Sequence, residues 1–485
     1  MRTIFLPIPV SRAFSALAVF ALLSLPAAAR GGPPPQRSSP ALTTLGALVQ
    51  LSGSSGCLVD RSEPQTRCKP VRALGGPAPF LGSEAIAISP DGKNVYVASS
   101  RSDAIAVFKR NVSTGKLTQR AGVTGCIAAK GAGGCTTGIG LEGPNSVTVS
   151  PDGRSVYATS LDSNTIDVFA RNPSTGALTQ LSSGGCTANA PTSGCTTGRA
   201  LDGPDVVVVS PDGRNVYVGA FKGDALAVFT RNPSTGALTQ PAGTSGCISY
   251  APLAECAPGT ALAAPEGMAI SPDGDNVYVA AALSSALDVF TRNPSTGALT
   301  QAGDSAGCIV ESALAGCTTG TQLGGADAVA VSPDDSDVYV TSVLSNSVTS
   351  FTRTPTTGQL VQQTGTSACV IYVLAVGCSL GQALNAPEGL AISPDGANVY
   401  TTAFASGAID VLDRNTESGT LTQKPPRPGC LAVSAPQSCS LGRGLRGASS
   451  VAVSPDGRYV YAAAFASNAV SVFKRATKAV AGGRR

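Results

Sequence analysis

Carboxylates recur at matching points along this chain of 485 residues. Five residues ahead of each of seven similar Ser-Pro-Asp tetrads stand Glu84, Asn145, Asp205, Glu266, Asp327, Glu388 and Ser449. Carboxylates from converging strands can hold a hard cation such as Ca2+. One with a raised pKa can act as a general acid or base. The same residues can instead cap strand ends, hydrogen-bond neighbouring backbone and face a hydrated channel. Glu84, Asn145, Asp205, Glu266, Asp327 and Glu388 are therefore candidates for ligand or cation binding. Glu266 and Glu388 are also candidate catalytic acids or bases. No cofactor is expected, Ca2+ being the one ion that such a ring would suit.

The chain has no histidine. That excludes His-ligated metals and any catalytic dyad or triad built on imidazole. A net charge of +4, evenly spread, argues against nucleic acid or an anionic membrane as partner.

Fourteen cysteines form the second chemical pattern. Six pairs share a C-x8-C spacing: Cys126/Cys135, Cys186/Cys195, Cys247/Cys256, Cys308/Cys317, Cys369/Cys378 and Cys430/Cys439. The first pair, Cys57/Cys68, is two residues longer. An even count at fixed spacing beside an export signal predicts seven local disulfides. Metal binding is a poor alternative, since the pairs belong to separate repeats and no histidine can complete a site.

The elements that must position these residues follow from the repeat. The tetrads begin at Ser89, Ser150, Ser210, Ser271, Ser332, Ser393 and Ser454, and Asp335 replaces the Gly of the other six. Each unit of about 61 residues has an apolar strand before the tetrad, then a Val-Tyr strand such as Asn94-Val95-Tyr96-Val97. A third strand such as Ala104-Ile105-Ala106-Val107-Phe108 follows, then an Asn-Pro-Ser-Thr-Gly turn, then a short strand like Ala177-Leu178-Thr179-Gln180. Short Val-, Ile-, Tyr- and Phe-rich runs bounded by Gly, Pro, Asn or Asp are β-strands. The prediction is an all-β, seven-bladed β-propeller with four antiparallel strands per blade. The last unit lacks its fourth strand, and Gly46-Ala47-Leu48-Val49-Gln50 supplies an unmatched one. The N-terminal strand is thus expected to complete the last blade and remove two free sheet edges.

Residues present in every copy serve the blade. The tetrad Asp91 and its equivalents are expected to cap turns and partner the repeated Arg110 and its equivalents. The repeated Tyr96 and its equivalents are expected to pack between blades. Loops that differ between copies are better functional candidates. Between the second and third strands, the first three blades carry Arg101, Asp103, Asp162, Lys222 and Asp224. The last four carry Leu283, Leu344, Phe404 and Phe465. These loops and the cysteine loops, which run from one blade to the next, share one face, here called the top. Tyr372 lies in an apolar run, 370–376, between Cys369 and Cys378, which reads as a partner patch, a lid, or a loop folded over its own blade.

Arg2, Arg12, the apolar run from Phe14 to Leu25 and Ala27-Ala28-Ala29 read as a signal peptide over 1–29. A Pro/Gly-rich linker over 30–45, the propeller over 46–476 and a basic tail over 477–485 complete the expected organisation. The mature protein is expected outside the cytoplasm, whether secreted, periplasmic or at the cell surface. It is expected to be a monomer without membrane insertion.

The Ser-Pro-Asp-Gly-x-x-Val-Tyr-Val core, clearest at Ser271 to Val279, resembles the YVTN repeat of lactonase-type seven-bladed propellers. That family includes phosphogluconolactonase-like and carboxymuconate cyclase-like proteins. The resemblance implies a top-face site with Arg and His in a Gly-Pro-Arg-His stretch and Glu nearby. Here the matching places read Gly143-Pro144-Asn145-Ser146, Gly203-Pro204-Asp205-Val206 and Ala264-Pro265-Glu266-Gly267. With the Arg-His pair replaced, the first expectation is a binding or scaffold protein that takes a protein, glycan or small molecule on its top face. The alternative is a lactonase-like hydrolase using top-face carboxylates, with or without a divalent cation.

Overall fold

A computed structural model describes residues 44–62, 67–75, 85–434 and 438–477. The segment read as signal peptide, most of the linker and of the basic tail, and Glu84 lie outside them. The chain divides into Met1–Ala41 and Leu42–Arg485, and all described residues belong to the second unit. No described helix is long and apolar enough to cross a membrane.

Seven separate sheets form seven blades. Their innermost strands touch in sequence from Ala85–Ile88 through Ala448–Val453 and back to Ala85–Ile88. The core lies between blades. Tyr96, Ile105 and Val107 of the first blade, for instance, meet Val147, Val156 and Phe169 of the second.

The expected four strands per blade become six. In the first blade the third strand, Ala104–Arg110, is longer than either outer partner. Leu117–Gln119 pairs with its bottom half, and Cys126–Ala129 pairs with its top half. Thr136–Gly138 then runs parallel to Cys126–Ala129 at the outer edge.

The disulfide between Cys126 and Cys135 ties these two parallel strands. The other blades repeat the bond as Cys57–Cys68, Cys186–Cys195, Cys247–Cys256, Cys308–Cys317, Cys369–Cys378 and Cys430–Cys439. All fourteen cysteines are therefore paired as the spacing predicts. Their setting differs from the loops expected between blades. Cys195, Cys256 and Cys317 directly precede the outer strands Thr196–Thr197, Ala257–Pro258 and Thr318–Thr319, and Cys439 opens the outer strand Cys439–Leu441. The cysteine segments are thus partly sheet. The physical reason is the disulfide itself: ladders of two or three residue pairs hold little alone, and the covalent bond pins each one at its end.

The last blade takes all three outer strands from the N-terminal segment. Leu48–Gln50 and Cys57–Asp60 both pair with Ala469–Arg475, and Lys69–Val71 lies parallel outside them. Gln50 fixes this closure. Its Nε2 donates to the Arg443 carbonyl at 2.9 Å and its Oε1 accepts from the Arg443 N–H at 3.0 Å. The same two-bond clamp joins Gln119 to Arg72 and Gln301 to Thr260 across other blade boundaries.

On the bottom face each tetrad Asp performs two tasks. Asp91 Oδ1 accepts from the Ser89 hydroxyl and the Lys93 N–H, and its carboxylate receives Arg171 of the next blade at 3.0 Å. Arg171 Nε also donates to the Tyr96 hydroxyl, which donates to the Gly176 carbonyl. Partial burial opposes ionisation of Asp91, but the bonds from Ser89, Lys93 and Arg171 outweigh it and hold its pKa below the ordinary carboxylate value.

The fifth blade breaks this pattern. Asp335 sits at φ +66°, a conformation that Gly adopts without cost, beside Arg353 and Asp273. Burial and a hydrogen bond shared with the Asp273 carboxyl raise its pKa to about 7. A raised pKa means a contribution that is complete below the unfolded value and is lost as pH rises through about 7. Asp335→Gly should therefore raise the thermal midpoint, and by more at pH 8 than at pH 5. Equal shifts at both pH values in a melting series would show that backbone strain alone is relieved.

Candidate functional site

Every described member of the acidic ring sits at a break in the ladder of its innermost strand. The register shifts between Pro144 and Ser146, Pro204 and Val206, Pro265 and Gly267, Ala326 and Val329, Pro387 and Leu390, and Ala448 and Ser450. These breaks carry Asn145, Asp205, Glu266, Asp327, Glu388 and Ser449. A β-bulge leaves its extra residue out of the ladder and re-aims its side chain. The chain thus repeats, blade by blade, a device that turns one side chain away from the sheet.

Two bulges are drawn close to their neighbours. A Cβ on Gly267 would collide with the Asp327 carbonyl, and one on Gly389 would stand 2.9 Å from the Ser449 carbonyl. The two Pro-Glu-Gly sequences therefore bring the fourth blade against the fifth and the sixth against the seventh. Thr341 ties the next boundary. Its hydroxyl donates to the Glu388 carbonyl at 3.1 Å and accepts from the Ala328 N–H at 2.9 Å.

The result is a carboxyl couple. Asp327 has its pKa raised well above the ordinary value. Burial is the main cause, followed by the charges of Glu266 and Glu388, a hydrogen bond with Glu266, and the charge of Asp205. Some solvent reaches Asp327, but protein surrounds it closely, and a carboxylate so placed is poorly hydrated. One proton shared between Asp327 and Glu266 is the expected state of such a pair. Asn145, 5% exposed, donates to Asp205 Oδ1 at 2.5 Å, while its own Oδ1 is buried without a partner.

Among the described residues, no three acidic side chains are grouped to hold a metal ion. The couple's shared proton also fits a cation poorly, because a cation would displace it.

The loops between second and third strands form an upper tier over this ring. The N–H of Asp162 donates to the Glu142 carbonyl at 3.1 Å, and that of Gly223, next to Lys222, to the Asp202 carbonyl at 2.9 Å. Likewise Leu283 is bonded to Ala263 and Leu344 to Gly324, at 3.2 and 3.0 Å. Each loop tip therefore stands three residues ahead of its ring residue. Asp103 and Asp224 have their carboxylates engaged: Asp103 accepts from the Gly143 N–H and Asp224 from the Ala264 N–H, at 2.9 and 2.8 Å. Arg101 lies on the corresponding short turn, Ser100–Ser102. The loop between Cys369 and Cys378 divides in two. Val370 and Ile371 pack inward, whereas Tyr372, Val373, Leu374 and Val376 are exposed.

Sequence reasoning passed over three buried carboxyls, Asp167, Asp288 and Asp410. Each faces a disulfide cysteine across the ladder: Cys186, Cys308 and Cys430 respectively. Burial drives all three pKa values well up. Gln301 Nε2 donates to Asp288 at 3.1 Å and Gln423 Nε2 to Asp410 at 2.9 Å. Their signal was an Asp at an inward position of an otherwise apolar third strand.

Comparison with known proteins accords with the seven-bladed fold. Residues 81–197 and 206–314 match the family model described as Lactonase, 7-bladed beta-propeller. Over these residues the chain is similar to the lactonase-type seven-bladed β-propellers. Among solved structures, the periplasmic gluconolactonase of Pseudomonas aeruginosa is 18% identical with a TM-score of 0.50, covering 82% of this chain and 95% of that one. A candidate 6-phosphogluconolactonase from Bacteroides uniformis is 21% identical with a TM-score of 0.49, covering 70% of this chain and 82% of that one. Hydrazine synthase of Kuenenia stuttgartiensis is 17% identical with a TM-score of 0.49, covering 83% of this chain and 97% of that one. No curated protein matches. Similarity at this level speaks to the fold.

Proposed function

We propose that this chain is an exported lactone hydrolase whose acid and base are the carboxyl couple Asp327 and Glu266. The observation that carries the reading is the hydrogen bond and charge coupling of these two groups on adjacent bulges. The match of residues 81–197 and 206–314 to the lactonase family model supports it.

The couple answers the loss of the Arg-His pair. Ionised Glu266 takes a proton from water as the water oxygen bonds to the lactone carbonyl carbon. Asp327 gives its proton to the carbonyl oxygen, so the oxyanion is neutralised directly and needs no cation. Collapse of the tetrahedral adduct breaks the ring C–O bond. As it breaks, Glu266 gives its newly gained proton to the ring oxygen and Asp327 takes back the proton of the former carbonyl oxygen, so the acid product leaves and the couple is restored. Seven disulfides support an oxidising compartment for this chemistry.

Purified mature protein should hydrolyse neutral five- or six-membered lactones, read by pH-stat, with chelator making no difference. A flat panel would reject the reading. The exposed run from Tyr372 to Val376 instead favours a binding role, and protein capture there with no turnover would support that second reading.

A further inference from the structure

The upper tier is divided by chemistry, and the division lies over the carboxyl couple. On one side Asp162 is bonded three residues ahead of Asn145, and Lys222 lies against Gly203, two residues ahead of Asp205. On the other, Leu283 stands above Glu266 and Leu344 above Asp327. Both leucines face solvent, at 64% and 73% exposure. Leu344 lies against its own innermost strand, since a Cβ on Gly325, two residues ahead of Asp327, would lie 2.8 Å from its Cγ. Single exposed leucines are ordinary. Two on adjacent blades, each fixed by a backbone hydrogen bond to the residue three ahead of Glu266 or Asp327, give those two blades an apolar rim, here called the sill.

Building on the hydrolase reading, we infer that the substrate is an uncharged lactone carrying an apolar arm, with the ring at Glu266 and Asp327 and the arm across Leu283 and Leu344. Two features support this occupant. Both leucines are anchored three residues ahead of the couple on the same two blades, so a substituent on a lactone ring held at the couple is directed to them. The carboxylates beneath repel an anion, so a phosphorylated sugar lactone meets opposing charge on one side and apolar surface on the other.

The test is a chain-length series of γ-lactones with unbranched alkyl substituents, run beside 6-phosphogluconolactone on wild-type protein and Leu283→Ser/Leu344→Ser. Wild-type kcat/KM should rise with each added methylene, by up to about fourfold, until the sill is covered. The phosphorylated lactone should be at least about tenfold slower than the best alkyl lactone, a modest charge penalty at a partly hydrated mouth. The double variant should flatten the series, its loss growing with each methylene of the substituent. Turnover of short lactones without a chain-length trend overturns this inference and leaves the hydrolase reading intact. So does a preference for the phosphorylated lactone. No turnover on any lactone overturns both.

Discussion

Glu266→Gln is expected to lower kcat/KM on the best lactone by about 10²–10⁴-fold, the range for loss of a positioned general base. Asp327→Asn should cost a similar factor, because it removes the proton donated to the carbonyl oxygen. The double variant should be little worse than the poorer single one, since the two groups act as a unit. Neither change should unfold the blade, because both positions are bulges outside the ladder. The pH profile gives a sharper check. The working couple carries one proton, so the rate falls as pH rises through the raised pKa of Asp327. Glu388→Gln removes one of the charges that raise that pKa. It should keep activity yet move the alkaline limb to lower pH. Full activity in Glu266→Gln, or an alkaline limb unmoved by Glu388→Gln, would show that the couple is not the acid and base.

The repeat made much of this architecture legible. Seven tetrads and one unmatched strand are enough for the blade number and the closure, because each blade must bury its faces against two neighbours. The tetrad Asp, the Arg and the Tyr could be set aside as structural since they recur, and their hydrogen bonds join every blade to the next. The number of strands per blade was not legible. A seven-residue third strand with two short partners on one edge, followed by a parallel strand closed by a disulfide, has no periodicity of its own. Pairs such as Cys186–Cys195 could be read from spacing, but not that Cys195 would lead into a strand. The Gln clamp was equally hidden: Gln50 and Gln119 read as the ends of β-strands until their backbone partners appear far away in sequence. The acidic ring could be found by alignment of the copies, but its coupling could not. That Glu266 hydrogen-bonds Asp327 and raises its pKa depends on Gly267 letting two bulges approach, a distance that no spacing along the chain encodes.

Loss of all seven disulfides should abolish folding. Six of the pairs are nine residues apart, and the chain-entropy estimate for such a loop is roughly 2.5 kcal/mol. The longer Cys57–Cys68 loop contributes about as much. The seven lie on separate blades without shared partners, so their contributions should be nearly additive. The sum, about 15–20 kcal/mol, exceeds the roughly 5–15 kcal/mol by which folded proteins usually outweigh their unfolded chains. The outer parallel strands make the dependence direct. Thr196–Thr197 and Ala257–Pro258, which follow Cys195 and Cys256, each hold their blade through only two paired positions. Removing one pair, as in Cys126→Ala/Cys135→Ala, should cost about 2–3 kcal/mol and leave the remaining blades intact. Protein that is unfolded, reduced, blocked with iodoacetamide and returned to native buffer should show no cooperative thermal transition by circular dichroism. A blocked protein that melts at the temperature of the oxidised one would mean that the inter-blade Arg, Tyr and Gln bonds suffice alone, and that the cysteines serve the outer edge without holding the ring.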